Sequence, residues 1–140
     1  KIFQSFIDDS PRKTFWHGHS FTANPLGCAA ANASLDLLEK EPHKYLSFEE
    51  KHLSHLIKFK KLPHIKKIRV SGTIAAFDLE IGNKKGYFHN IGKEIKSLAM
   101  DQGLFIRPLG NVIYLLPPLC ITDDQLEKSY WIIRQILDNL

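Results

Sequence analysis

The chain has 140 residues, of which 44% are hydrophobic and 24% charged, with a formal net charge of +4. That balance fits one domain of common size and excludes wholesale disorder, while the mild positive charge is no nucleic-acid signature. No apolar run nears the roughly 18–20 residues of a membrane span, no signal peptide opens the chain, and Cys28 and Cys120 alone cannot form a disulfide framework. A reduced, cytoplasmic setting without membrane or nucleic-acid partner is therefore expected.

In chain order, Lys1 to Ile7 reads like the end of a helix entered midway, and Phe3, Phe6, Phe15, Trp16 and Phe21 crowd the opening. Asp8-Asp9-Ser10-Pro11-Arg12-Lys13 interrupts them with turn chemistry, so the rings share no regular buried face. Large apolar side chains on irregular backbone suit a partner surface, or else fold back onto the core. The expectation is a piece of a longer protein, whose opening arm packs against a larger domain.

Asn24 as N-cap and Pro25 at the first helical position start the first helix, with Leu26, Ala30, Ala33, Leu37 and Leu38 as its apolar stripe and Glu41-Pro42 as its break. A second helix is predicted from about Pro42 to Lys60, with Tyr45, Leu46, Leu53, Leu56 and Ile57 inward. Ile65–Ser71 and Thr73–Ile81 alternate as two strands meeting near Gly72, with Ile68, Val70, Ile74, Ala76 and Phe77 inward. Gly82 to Gly86 reads as a turn, and Ile91, Ile95, Leu98 and Ala99 as a helix stopped by Gly103. Phe105–Pro108 and Val112–Leu116 flank Gly110-Asn111 as a hairpin. Thr122-Asp123-Asp124-Gln125 is a capping box opening a last helix, with Leu126, Tyr130, Ile133 and Leu137 inward. The order α-α-β-β-α-β-β-α predicts an α+β fold, with helices on one face of a mainly antiparallel sheet.

Two segments stand out for chemistry. In His17-Gly18-His19-Ser20-Phe21-Thr22-Ala23-Asn24-Pro25, a glycine and a hydroxyl precede a helix start, where backbone N–H groups suit an anion; a plain capped loop reads the same way. Arg107 sits in the apolar Leu104-Phe105-Ile106-Arg107-Pro108, where a guanidinium suits a carboxylate, an internal ion pair or an outward strand position. His17 and His19 lack further ligands for a metal, and His52 and His55, three apart on a helix, read equally well as a solvated face. The basic run from Lys58 to Arg69 carries no stacking aromatics for RNA and reads as solvated surface.

The whole run from His17 to Ala30 resembles the loop and helix that join the large and small domains of class III aminotransferases, fold-type I enzymes dependent on pyridoxal 5′-phosphate. Arg107-Pro108-Leu109-Gly110-Asn111-Val112-Ile113-Tyr114-Leu115-Leu116-Pro117-Pro118 is similar to the biotin-biosynthesis branch of that family, although Leu109 stands where many members have an aromatic residue. The resemblance covers essentially the whole chain, as the carboxyl-terminal third of such an enzyme. It implies that residues 1–23 are an arm and interdomain loop and residues 24–140 the small domain.

Site residues follow from the same resemblance. Gly18 matches the glycine whose backbone lies against the amino-keto acid. His19, where some members have proline, and Ser20 match the pair that reaches the cofactor phosphate of the neighbouring subunit, through backbone N–H and hydroxyl. Arg107 matches the arginine binding the carboxylate of 8-amino-7-oxononanoate, and Tyr114 a tyrosine near that substrate. The implied partners are a large domain and the second subunit of a homodimer, and the implied amino donor is S-adenosylmethionine.

The family's Schiff-base lysine lies upstream of the His17-Gly18 motif, and neither Lys1 nor Lys13 has its surroundings. No catalytic residue is expected here, and the chain alone should be inactive and hold no cofactor. Alternatives are another class III aminotransferase, acting on ornithine or an ω-amino acid, and a non-catalytic carboxylate-binding module.

Overall fold

A computed structural model describes residues 1–42, 46–81 and 90–140, and the chain divides into two units, Lys1–Lys40 and Glu41–Leu140. In the first unit, short 3-10 turns at Phe3–Phe6 and Pro11–Lys13 precede helix α1, Pro25–Lys40. Lys13 Nζ lies 2.6 Å from Asp8 Oδ2. That bond, with the Ser10 N–H, holds the Asp8 carboxyl below its usual range.

The rings of residues 15, 17, 19 and 21 follow one another in a row, although the chain turns after His19, where Thr22 N–H bonds the His19 carbonyl. Centroids run 5.6 Å from Phe15 to His17, 5.9 Å on to His19 and 6.0 Å on to Phe21, while Phe6 sits 5.3 Å from Phe15. As expected, the opening rings share no buried face: Phe3, Phe6, Phe15, Trp16 and Phe21 are all exposed. Asn24 caps α1 as expected: its Oδ1 accepts from the N–H groups of Leu26 at 3.0 Å and Gly27 at 3.2 Å. The stripe on α1 stays uncovered, with Leu26 and Leu37 exposed and Leu38 only half-buried.

The second unit holds the core. Helix α2 spans Phe48–Leu56 and tightens into a 3-10 turn at Ile57–Lys61. Its inward row is Phe48, His52, Leu56 and Phe59, whereas Leu46, Leu53 and Ile57 are exposed. The predicted phase is thus corrected, and Tyr45 lies outside the described residues. The reason is His52: it occupies an apolar position because both ring nitrogens are bonded. Nε2 lies 3.0 Å from the Thr73 carbonyl, which only accepts, so Nδ1 accepts from the Tyr130 hydroxyl at 2.7 Å. Burial pushes the His52 pKa down and the Tyr130 pKa up. His55 stacks on Tyr130 with centroids 4.6 Å apart, so neither histidine belongs to a merely solvated face.

Strands β1 (Ile65–Ser71), β2 (Ile74–Leu79) and β3 (Val112–Leu115) form an antiparallel sheet in the order β1-β2-β3. Ala75, Phe77 and Leu79 face the core; Ile74, predicted inward, is exposed at the strand's start. On the other face, Asp78 meets Arg69 at 2.7 Å and Lys67 at 3.3 Å. Partial burial opposes the Asp78 charge, but these two cations outweigh it and hold the carboxyl below its usual range.

Helix α3, Ile91–Asp101, buries Ile91, Gly92, Ile95 and Ala99 and leaves Leu98 exposed. It ends at Gly103, whose N–H reaches the Met100 carbonyl while Leu104 N–H reaches that of Ala99, a Schellman pattern. The capping box of α4, Asp123–Asp138, forms as predicted: Gln125 N–H donates to Thr122 Oγ1 and Thr122 N–H to Gln125 Oε1. Its four predicted inward residues are all buried. The helices cover one face of the sheet, giving the expected α+β architecture.

The hairpin is only half present. Leu109 and Val112 exchange both backbone hydrogen bonds around Gly110-Asn111, with Gly110 at φ +64°. Phe105–Pro108 makes no ladder among the described residues, because Pro108 has no N–H to donate and the segment lies along α3 instead. The predicted turn at Gly82–Gly86 lies outside the described residues.

Candidate functional site

In the first unit, the His17–Pro25 loop ties up most of its own donors. His19 N–H donates to Thr22 Oγ1 at 2.9 Å, Thr22 N–H to the His19 carbonyl at 3.0 Å, and Phe21 N–H to His19 Nδ1 at 3.1 Å. Ala23, at φ 58°, turns the chain into α1. Among the described residues nothing bonds the Ser20 N–H or its hydroxyl, so Ser20 presents two adjacent donors on a loop that the other bonds hold in shape. A Cβ placed on Gly18 would meet nothing within 4 Å; no crowding within the described chain demands a glycine there.

In the second unit, Arg107 and Tyr114 line one open cavity of about 260 Å³, with Phe105, Leu116, Pro117 and Ile121 among its walls. Tyr114 comes from β3, opposite Ala76, on the sheet face away from the helices. Arg107 comes from the stretch that follows α3. Its internal ion-pair alternative falls away: among the described residues the Arg107 guanidinium has no carboxylate or hydrogen-bond acceptor. An unpaired guanidinium beside an apolar wall matches an anion carried on a hydrocarbon chain.

Ser129 also lines this cavity, although its hydroxyl donates to the Gln125 carbonyl at 2.8 Å. No pattern in the sequence singled it out, since β3 and the start of α4 separate it from Arg107 along the chain. A second hollow, of about 280 Å³ between α2 and α4, has Lys58 and Arg134 on its rim. There Glu127 shares the rim, and Arg134 already bonds Asp138 and the Lys58 carbonyl. Among the described residues no group of three or more His, Cys, Asp or Glu could hold a metal, and no helix is long and apolar enough to cross a membrane.

Comparison with known proteins gives the same direction. The family model for class III aminotransferases matches residues 1–137. The adenosylmethionine-8-amino-7-oxononanoate aminotransferase of Synechococcus elongatus is 44% identical over 99% of this chain and 32% of its own length. The enzyme of the same name from Geobacter sulfurreducens is 39% identical over 91% of this chain and 30% of its own. The crystal structure of the Methanocaldococcus jannaschii enzyme of that name superposes with a TM-score of 0.73 at 29% identity, covering 96% of this chain and 33% of that one. The chain therefore spans about a third of the length of the relatives it matches. With the match running through both units, the chain belongs to the class III aminotransferase family.

Proposed function

We propose that this chain serves as the carboxyl-terminal third of a cytoplasmic, homodimeric aminotransferase of biotin biosynthesis, with residues 1–23 as arm and interdomain loop and residues 24–140 as small domain. The complete enzyme would move an amino group from S-adenosylmethionine to the ketone of 8-amino-7-oxononanoate, giving 7,8-diaminononanoate. The observation that carries this reading is the unpaired Arg107 guanidinium on an apolar cavity shared with Tyr114. That acceptor has a carboxylate at one end, a run of methylenes, then the ketone. Arg107 would clamp the carboxylate, the apolar wall would take the methylenes, and Tyr114 would border the chain.

Pyridoxal 5′-phosphate would supply the electron sink and carry the amino group between the two substrates. Ser20 fits the phosphate of such a cofactor: its hydroxyl and N–H are adjacent, exposed and unengaged. The His19 N–H fits only once Thr22 Oγ1 releases it. Gly18 would leave its backbone open to the substrate. Neither Lys1 nor Lys13 is proposed as the reactive centre; Lys13 is exposed and paired with Asp8. The 140 residues alone are accordingly expected to be inactive, the lysine that anchors the cofactor belonging to the remaining polypeptide.

The test is Arg107→Ala in the complete enzyme. Losing a charged hydrogen-bonded clamp worth about 1.5–3 kcal/mol should raise KM for the amino-keto acid roughly 10- to 150-fold, with cofactor content unchanged. An unchanged KM removes Arg107 from this role, and preferential use of ornithine as donor would move the protein to another branch of the family. Ser20→Ala should weaken cofactor retention on dialysis; equal retention in variant and parent would remove the phosphate contact.

A further inference from the structure

The segment carrying Arg107 is strapped to α3 at three levels. Leu104 N–H bonds the Ala99 carbonyl at 2.8 Å, Lys96 Nζ lies 5.5 Å over the Phe105 ring, and the turn after Arg107 abuts Gly92. Partners on the helix descend from 99 to 96 to 92 as the segment ascends from 104 to 110, so the segment runs back along α3. Ile106 is buried between two exposed neighbours, Phe105 and Arg107, which fixes the side on which Arg107 emerges.

Gly92 sets how closely the last level can seat. A Cβ built there would fall far inside contact distance of the Gly110 carbonyl oxygen and 2.9 Å from Pro108 Cβ. The first obstacle is backbone, and the second a rigid ring, so neither swings aside as a flexible side chain would. From the opposite side, Asn111 Nδ2 donates to the Leu79 carbonyl at 2.9 Å and Leu79 N–H to the Asn111 carbonyl at 2.8 Å. The Pro108–Asn111 turn is thus held between the first turn of α3 and the end of β2, and Arg107 is the residue immediately before it.

We infer that Gly92 is a positioning residue for Arg107: its missing side chain lets the Pro108–Gly110 turn seat against α3 and so sets the height of the guanidinium above the apolar cavity. This rests on the carboxylate-binding role proposed for Arg107. A side chain at 92 would lift the turn, shift the guanidinium and lengthen its reach to the carboxylate, while the lysine-bearing centre of the complete enzyme would be untouched.

The experiment compares parent, Gly92→Ala and Arg107→Ala forms of the complete enzyme on two acceptors: the amino-keto acid and an analogue lacking the carboxylate. For Gly92→Ala, KM for the amino-keto acid should rise about 10- to 100-fold, the scale of an ångström-sized misplacement. Its kcat and its KM for the amino donor should hold. On the carboxylate-free analogue all three proteins should have the same kcat/KM, which a merely weakened fold would not allow. If Arg107→Ala impairs the amino-keto acid and Gly92→Ala does not, this inference alone falls. If Arg107→Ala has no effect, the carboxylate role falls and the inference with it. Should Gly92→Ala not fold, Asn111→Ser loosens the same turn from the β2 side; a folded Asn111→Ser enzyme with unchanged KM for the amino-keto acid overturns the inference.

Discussion

Between Glu41 and Leu140, Phe48, Leu56, Phe59, Phe77, Ile95, Ile113 and Ile133 are each 2% exposed or less, while between Lys1 and Lys40 no described residue is buried. Both stretches carry aromatic and aliphatic side chains at regular spacing. In the second, a sheet and the helices α2, α3 and α4 of one continuous stretch present matching faces among the described residues, so apolar surface meets apolar surface. In the first, a period-two row of rings and a 3.6-period stripe on α1 occur side by side in sequence without such a layer. Periodicity records which side chains would gain from cover; it does not say what provides it.

Truncating matched aromatics breaks or sharpens that contrast most sharply. Phe77→Ala should cost about 3–5 kcal/mol, while Phe15→Ala, on the exposed ring row, should stay within about 0.5 kcal/mol. Urea denaturation of the 140-residue chain measures both, and similar losses would abolish the distinction between the units.

Next in size is the buried polar group of the second unit. His52→Leu leaves the Tyr130 hydroxyl and the Thr73 carbonyl without their partner, which should cost about 1–3 kcal/mol at pH 7.5. The pH response follows from sign. His52 is depressed in the folded state by burial, from an ordinary value of 6.5, so the unfolded chain binds the proton first. Stability is full above pH 6.5 and declines as the pH falls through that value towards the folded pKa. His55, depressed by burial and by Lys58, titrates in the same sense, so His52→Leu should flatten the decline in part. An unchanged slope would separate His52 from it.

The helix caps give the smallest effect. Thr122→Ala should remove about 1 kcal/mol from the cooperative transition of the second unit. Asn24→Ala should leave that transition in place and speed amide exchange at Leu26 and Gly27, whose N–H groups the Asn24 side chain accepts. A shift of the main transition by Asn24→Ala would tie α1 into the same cooperative unit.

Local rules read the local features well. The capping box at Thr122–Gln125, the Asn24-Pro25 start and the Gly103 stop involve groups within a few residues, and each forms as its sequence suggests. Features with distant partners did not read as well. The phase of α2 is not legible in the sequence, because His52 counts as polar until Thr73 and Tyr130 are both known to face it. Phe105–Pro108 looked like a strand because its apolar alternation is that of one; the competing partner, α3, is visible only in three dimensions. Arg107 was notable in sequence, but its lack of a counter-ion and its shared cavity with Tyr114 required the folded neighbourhood.

The sequence by itself determined the starts of α1 and α4, the stop of α3, the β1–β2 pairing and, through the His17–Ala30 and Arg107–Pro118 runs, the family. Backbone capping, steric preference and alternation act over a few residues, so they are written locally. Only the tertiary structure decided that the Arg107 segment lies along α3 instead of pairing, that Gly92 admits its turn, and that His52 is a core residue. Those outcomes depend on which surfaces meet across long separations, where a side chain's worth is set by the partner it finds.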